Sequence, residues 1–175
     1  MGLRLAGTAK QIGMSEAETL GLAAAMSALG LRAEMGGSAM SKFMTKALTE
    51  VQQGGEAASK WADIAGVSVG DLSNMMEDDF AGALQLIVKG FGEVSEEGAN
   101  LDQVLRDMGI NDIRMLDTIK RLSSGYGLLE QAIAMASSEW ETNTALVEEA
   151  ELRYGTFSSM LRMFINRLRN ILKGF

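Results

Sequence analysis

The side chains that could carry chemistry are few, and their spacing decides against most of it. Acidic residues bunch at Glu77-Asp78-Asp79 and at Glu96-Glu97. Two converging carboxylates could shuttle protons or hold a hard cation. Neighbours on a helix point about 100° apart, however, so neither run converges. Neither run has the alternating acidic spacing of a calcium loop. Both read as solvated faces, or as charge at helix N-termini where it complements the helix dipole. Gly90-Phe91-Gly92 lacks the third glycine and the basic partner of a phosphate-binding loop, and no P-loop motif is present. A Ser-x-x-Lys spacing arises too readily by chance to carry weight. The 175 residues include no Cys and no His, which removes thiol catalysis, disulfides, zinc sites and every His-based dyad or triad. The sequence argues against an enzyme and implies no cofactor and no metal.

The elements that position these groups are helices. There is no Pro, aromatics are 6% of the chain, and Ala, Met, Leu and Glu are abundant. That mixture favours helix almost everywhere and predicts an all-α fold. The 20 glycines must then serve mainly as helix terminators and points of close packing. A net charge of −7 weighs against a nucleic-acid surface spread over the domain, and no nucleic-acid specificity is expected. The charge is uneven. Residues 155–175 hold Arg162, Arg167, Arg169 and Lys173 with no acid, which leaves −11 on the rest. No apolar run reaches the roughly 18–20 residues of a spanning helix. No signal-peptide pattern opens the chain. It reads as soluble and intracellular.

One short pattern recurs: apolar, Gly, apolar, small polar. It occurs as Ile12-Gly13-Met14-Ser15, Ala65-Gly66-Val67-Ser68 and Met108-Gly109-Ile110-Asn111. Its physics is that of a corner between helices. Gly ends one helix in the left-handed conformation, the next apolar side chain plugs the core, and Ser or Asn caps the helix that follows. Glu18 completes a capping box with Ser15, and Asp71 forms a weaker one with Ser68. Between corners the apolar residues step by three and four, as in Leu22, Met26 and Leu29, or Phe80, Leu84, Ile87 and Phe91. The spacing predicts helices over 4–12, 15–30, 34–53, 56–65, 68–76, 79–91, 100–108 and 111–123. These form a compact multi-helix bundle, the globular domain 1–124.

Residues 125–175 read differently, as a long amphipathic C-terminal helix or helical hairpin. From Leu129 a register of alternating four- and three-residue steps runs through Ile133, Ala136, Trp140, Asn143, Val147, Ala150, Tyr154, Phe157, Leu161, Phe164, Leu168, Ile171 and Phe175, with only Asn143 polar. This is the 3.5-residue period of a coiled-coil seam. Unbroken, residues 128–172 would form a rod of about 65–70 Å. Ser137-Ser138 and Gly155 are the places where it would break. Trp140, Val147, Tyr154, Phe157, Leu161, Phe164, Leu168 and Ile171 are the candidate helix–helix interface. The seam serves either the domain's own core or association with another copy or a partner helix. The basic face with Phe157, Phe164 and Phe175 could instead lie on a membrane surface, an alternative function as a membrane-active or partner-binding module. Of the 13 methionines, Met35, Met40 and Met44 lie near Gly36-Gly37, where an adaptable contact surface competes with simple core filling.

Several segments, in order, resemble the conserved region of bacteriophage tail tape measure proteins. They begin with Ala9-Lys10-Gln11-Ile12-Gly13-Met14-Ser15-Glu16, Leu22-Ala23-Ala24-Ala25-Met26 and Glu34-Met35-Gly36-Gly37-Ser38-Ala39-Met40. They continue through Trp61-Ala62-Asp63-Ile64-Ala65-Gly66-Val67-Ser68 and Met108-Gly109-Ile110-Asn111-Asp112-Ile113-Arg114. Glu141-Thr142-Asn143-Thr144-Ala145-Leu146 and Glu149-Ala150-Glu151-Leu152-Arg153-Tyr154-Gly155-Thr156 complete the set. The likeness spans about residues 4–172 and lies in the ordered set, not in any one segment. It implies a mostly helical protein that occupies the lumen of the growing tail tube and sets tail length. It also implies tail-tube and tail-assembly chaperone proteins as partners, self-association, and contact with the host membrane during genome delivery. The expected location is the host cytoplasm during assembly and then the virion tail lumen. No catalytic residue is implied in this region. The chain lacks a long helical measuring repeat, so it reads as an excised domain or the remnant of a prophage gene.

Overall fold

A computed structural model describes the backbone of residues 2–150 and 162–167. The described chain is all-α, with no strand. Its helices are α1 (Gly2–Gln11), α2 (Glu16–Ala28), α3 (Ala33–Gln53), α4 (Gly55–Ala65), α5 (Val69–Asp78), α6 (Phe80–Glu96), α7 (Leu101–Asp107), α8 (Ile113–Ser124) and α9 (Tyr126–Ala150). Residues 162–167 are also helical.

The corners are built as the sequence pattern requires. Gly13, Gly66 and Gly109 have φ of 83°, 70° and 73°. After each, the next N–H reaches five residues back: Met14 to the Ala9 carbonyl (2.9 Å), Val67 to Ala62 (3.2 Å), Ile110 to Leu105 (2.9 Å). This satisfies carbonyls that the helix end would otherwise leave open. Two further corners use the same bond, Leu31 to Met26 (3.0 Å) after Gly30 and Ala99 to Val94 (3.2 Å) after Gly98. At Gly30 the N-cap position of the following helix is Arg32, which makes no side-chain cap. The apolar-Gly-apolar-polar pattern passes over that corner because no small polar residue follows it.

Caps hold the helix starts. The Ser15 hydroxyl accepts from the Glu18 N–H (3.2 Å), while Glu18 Oε2 accepts from the Ser15 N–H (2.8 Å). Ser68 accepts from the Asp71 N–H (3.1 Å) and Asn100 from the Gln103 N–H (3.3 Å). The cap of α8 is Asp112, not Asn111. Its Oδ1 accepts from the N–H groups of Arg114 (2.9 Å) and Met115 (3.2 Å). A carboxylate bonds these donors more strongly than an amide does and also meets the positive end of the dipole.

α3 and α6 form the middle of the bundle. α3 packs on α1, α4 and α8, and α6 packs on α4, α5, α8 and α9. The expected stripe of α6 is buried: Phe80, Leu84, Ile87 and Phe91 are each at most 3% exposed. α6 runs on to Glu96, five residues past the expected end. Gly90 is not a terminator. A Cβ at this position would lie 1.7 Å from the Ile64 carbonyl oxygen, so only glycine lets α6 approach α4 this closely. The approach seats Phe91 against Phe43 and Trp61, with ring centroids 6.4 and 6.2 Å away in tilted and edge-on geometry.

α9 lies along α2. A Cβ at Gly21 would meet the Ile133 Cα at 2.6 Å and the Ala132 carbonyl oxygen at 2.8 Å. Leu129, Ala132, Ile133 and Ala136 are buried there in the same core as Leu22 and Met26. The helix passes through Ser137-Ser138 without a break. Phe164 is buried in the core, and Arg167 Nη1 lies 2.8 Å from Glu139 Oε1. One continuous helix would hold residues 139 and 167 about 42 Å apart at 1.5 Å per residue. The two segments therefore do not belong to a single straight rod.

Glycine replacement separates the two kinds of site. Gly90→Ala should destabilise the domain by about 3 kcal/mol, because the backbone of α4 must move to admit a methyl group. Gly127→Ala, with nothing within 4 Å of the new carbon, should instead stabilise it by about 0.4–1 kcal/mol through the unfolded chain. Urea unfolding followed by circular dichroism measures both. Equal effects of the two substitutions would contradict the close approach at Gly90.

Candidate functional site

The densest polar constellation among the described residues lies where α3, α4 and the α7–α8 corner meet. Lys46 and Glu50 stand one turn apart on α3. Gly54 and Gly55, at φ of 72° and 74°, turn the chain so that α4 runs back along α3. The turn brings Trp61 to Glu50, whose Oε2 accepts the indole N–H at 2.7 Å. The other carboxylate oxygen of Glu50 pairs with Lys46. A cavity of about 400 Å³ opens beside them, lined also by Glu56, Lys60, Asp107 and Gly109.

Both of its lysines are paired, and its third acid takes a neutral donor. Lys60 Nζ lies 2.9 Å from Glu56 Oε1, and Gln103 donates to Asp107 at 2.8 Å. The hydrogen bond from Lys60 and then its charge hold the Glu56 carboxyl below the usual range, and the same pairing raises Lys60. The constellation contains a tie: Glu50 gives the buried indole its acceptor and joins α3 to α4. No sequence motif marks Lys46, Glu50 and Trp61 as partners. The four-residue spacing of Lys46 and Glu50 was the available signal, but it is common on any helix surface.

The acidic runs separate in the structure. Glu77 and Asp78 end α5 and are exposed, while Asp79 caps α6 by accepting from the Gly82 N–H at 2.8 Å. Glu96 and Glu97 lie at the C-terminal end of α6, exposed, where their charge opposes the dipole. The expected N-terminal role holds for Asp79 and fails for the second run. Among the described residues no group of three or more acidic side chains could hold a metal ion. Gly90-Phe91-Gly92 lies within α6 as packing, not as a loop.

Met40 and Met44 are fully buried, and Met35 is 39% exposed. Core filling thus accounts for two of the three. Of the candidate interface residues, Trp140 is half-buried on α9 and Phe164 is buried. Val147 is on α9, with its side chain outside the description. Tyr154, Phe157, Leu161, Leu168 and Ile171 lie outside the described residues, as do Arg169, Lys173 and Phe175. Arg162 is exposed. No described helix is long and apolar enough to cross a membrane.

Two substitutions test the polar framework. Glu50→Ala leaves the buried Trp61 indole N–H without its acceptor and should cost about 1–3 kcal/mol in urea unfolding. Trp61→Phe in that background should recover part of the loss by removing the orphaned donor, and no recovery would contradict the assignment. At the α8 cap, the Met115 N–H first, and then the Arg114 N–H and Lys42, hold the Asp112 carboxyl below its ordinary value of 3.8, against some opposing desolvation. A carboxyl lowered on folding adds stability above its ordinary pKa and loses it as pH falls through the folded value. Asp112→Ala should therefore cost about 1 kcal/mol at pH 7, and the gap to wild type should narrow as pH falls below 3.8. A gap that persists in acid would contradict an ionised cap.

No curated protein and no solved structure matches the chain. A family model does. The model of the phage-related minor tail protein family matches residues 3–109, from α1 through the Gly109 corner. That is more than half of the chain, so the protein belongs to the phage-related minor tail protein family and is a structural component of the phage tail.

Proposed function

We propose that this protein is a helical segment of the tail tape measure, acting in the host cytoplasm as the tail-tube proteins polymerise and then lying in the tail lumen. The observation that carries the reading is the ordered run of segments from Ala9 to Thr156 that resembles tape measure proteins, within a chain of the minor tail family. The all-helical architecture supports it. A ruler needs a fixed rise per residue, and the α-helix supplies about 1.5 Å. The apolar 3.5-residue register from Leu129 to Phe175 supports it further, since that period lets helices pair along their length. On this reading the tail-tube and tail-assembly chaperone proteins are its partners. The capped bundle of α1 to α8 is a folded block, and length is set by helical sequence that follows it.

The test is tail length in assembled particles. Six heptads, 42 residues, inserted in frame between Ala150 and Glu151 should lengthen the tail by about 63 Å if they extend a helix. Electron microscopy of purified particles gives the length distribution. Tails of unchanged length from an assembling insertion variant would leave the protein a minor tail component and remove the ruler role.

A further inference from the structure

A groove of about 350 Å³ runs between the α2–α3 corner and the start of α8. Its walls combine two features. The first is apolar. Ile113 is 79% exposed at the first position of α8, and Met35 on the facing side is 39% exposed. Both are among the few large apolar side chains left in solvent by a fold that buries nearly all the others described. The second is charge. Arg32, Arg114 and Arg121 line the groove with one acid, Asp117, a net +2 on a chain of net −7.

The three guanidiniums are not equivalent. Arg121 is spent within the fold: its Nε sits 3.0 Å from both Asp117 oxygens, and its Nη1 donates to the Leu29 carbonyl at 3.4 Å. That clamp fixes the α2–α3 corner to α8 and uses up the one acid. Arg32 and Arg114 make no ion pair among the described residues. Both are exposed. Two planar forks lining the same groove as an exposed isoleucine suit carboxylates flanking an apolar side chain.

We infer that this groove docks an acidic segment of a partner protein in which a Leu-sized side chain sits between Asp or Glu residues. The carboxylates meet Arg32 and Arg114, and the apolar side chain covers Ile113 and Met35. Charge complementarity selects the occupant. A basic or neutral segment leaves both guanidiniums unpaired, and a bare anion leaves Ile113 in water. The inference stands on the groove and does not depend on the tape measure reading.

A fluorescein-labelled peptide of alternating Glu and Leu is the probe, read by fluorescence anisotropy on the full chain. Binding should weaken with added salt. Arg32→Glu with Arg114→Glu should weaken it by about tenfold or more, since the charges then repel. Ile113→Ser, at a site too exposed to affect folding, should weaken it as well, while Lys42→Ser outside the groove should not. Four outcomes overturn the proposal. The first is equal binding of the Lys-Leu peptide. The second is inorganic phosphate displacing the probe at the probe's own concentration. The third is no effect of the double charge reversal. The last is a wild-type chain whose sedimentation shows self-association that Arg114→Glu abolishes, which would make a second copy the occupant.

Discussion

The fold depends on how near α6 comes to α4. Three rings, Phe43, Trp61 and Phe91, fill the middle of the bundle, one from each of α3, α4 and α6. Their edges meet faces only because Gly90 lets the α6 backbone rest on the Ile64 carbonyl. A methyl group there would push the helices apart and open space among the rings. The polar tie at the rim follows from the same placement, since Trp61 is buried with its N–H aimed at Glu50. One absent side chain thus sets the spacing on which core and rim both rely.

The helix ends could be read from the residues because corners are local. A glycine at positive φ, an apolar plug and a capping side chain fall within four consecutive positions, and each is fixed by sterics or one hydrogen bond. Gly13, Gly66 and Gly109 were found in this way. The exceptions have physical reasons. At α8 the preceding Asn111 has the right chemistry, but Asp112 wins because its carboxylate takes two N–H groups. At Gly30 the next helix starts without a polar cap. At Gly90 and Gly21 the glycine answers to a helix distant in sequence, and no local pattern records that. Trp61 and Glu50 escaped for the same reason, being eleven residues apart and joined only once α4 folds back on α3.

The surface follows from the core. A bundle whose helix ends are mostly satisfied locally leaves little polar chemistry over, and many of its acids go to caps, pairs on one helix or open solvent. Lys60 with Glu56, Lys89 with Glu93 and Arg121 with Asp117 are each one helical turn apart. Such exposed pairs add only tenths of a kcal/mol each. They do fix which charges are spent and which remain. Arg32 and Arg114 are among those that remain, in one groove with an isoleucine that the core does not use.

The register from Leu129 onward is a case where one periodicity has two meanings. A strict seam alternates steps of four and three and buries a narrow stripe, whereas a helix packed on a globule buries residues at i, i+3, i+4 and i+7. On the first half of α9 the buried set is Leu129, Ala132, Ile133 and Ala136, which is the broader stripe. The seam written from sequence omits Ala132, yet its carbonyl and the Ile133 Cα are what Gly21 touches. Small residues on both helices make that contact, and small residues favour close backbones over interlocking knobs. This part of the register is therefore spent on the domain itself. The first large aromatic of the register, Trp140, is also where burial becomes partial. Next to it Glu139 takes Arg167 from the far end of the chain. An exposed ion pair of this kind is worth about 1 kcal/mol or less, far weaker than the Gly21 contact. The helix is thus fastened to the domain through its first half by close backbone packing on α2, and Glu139 adds an ion pair to residues 162–167.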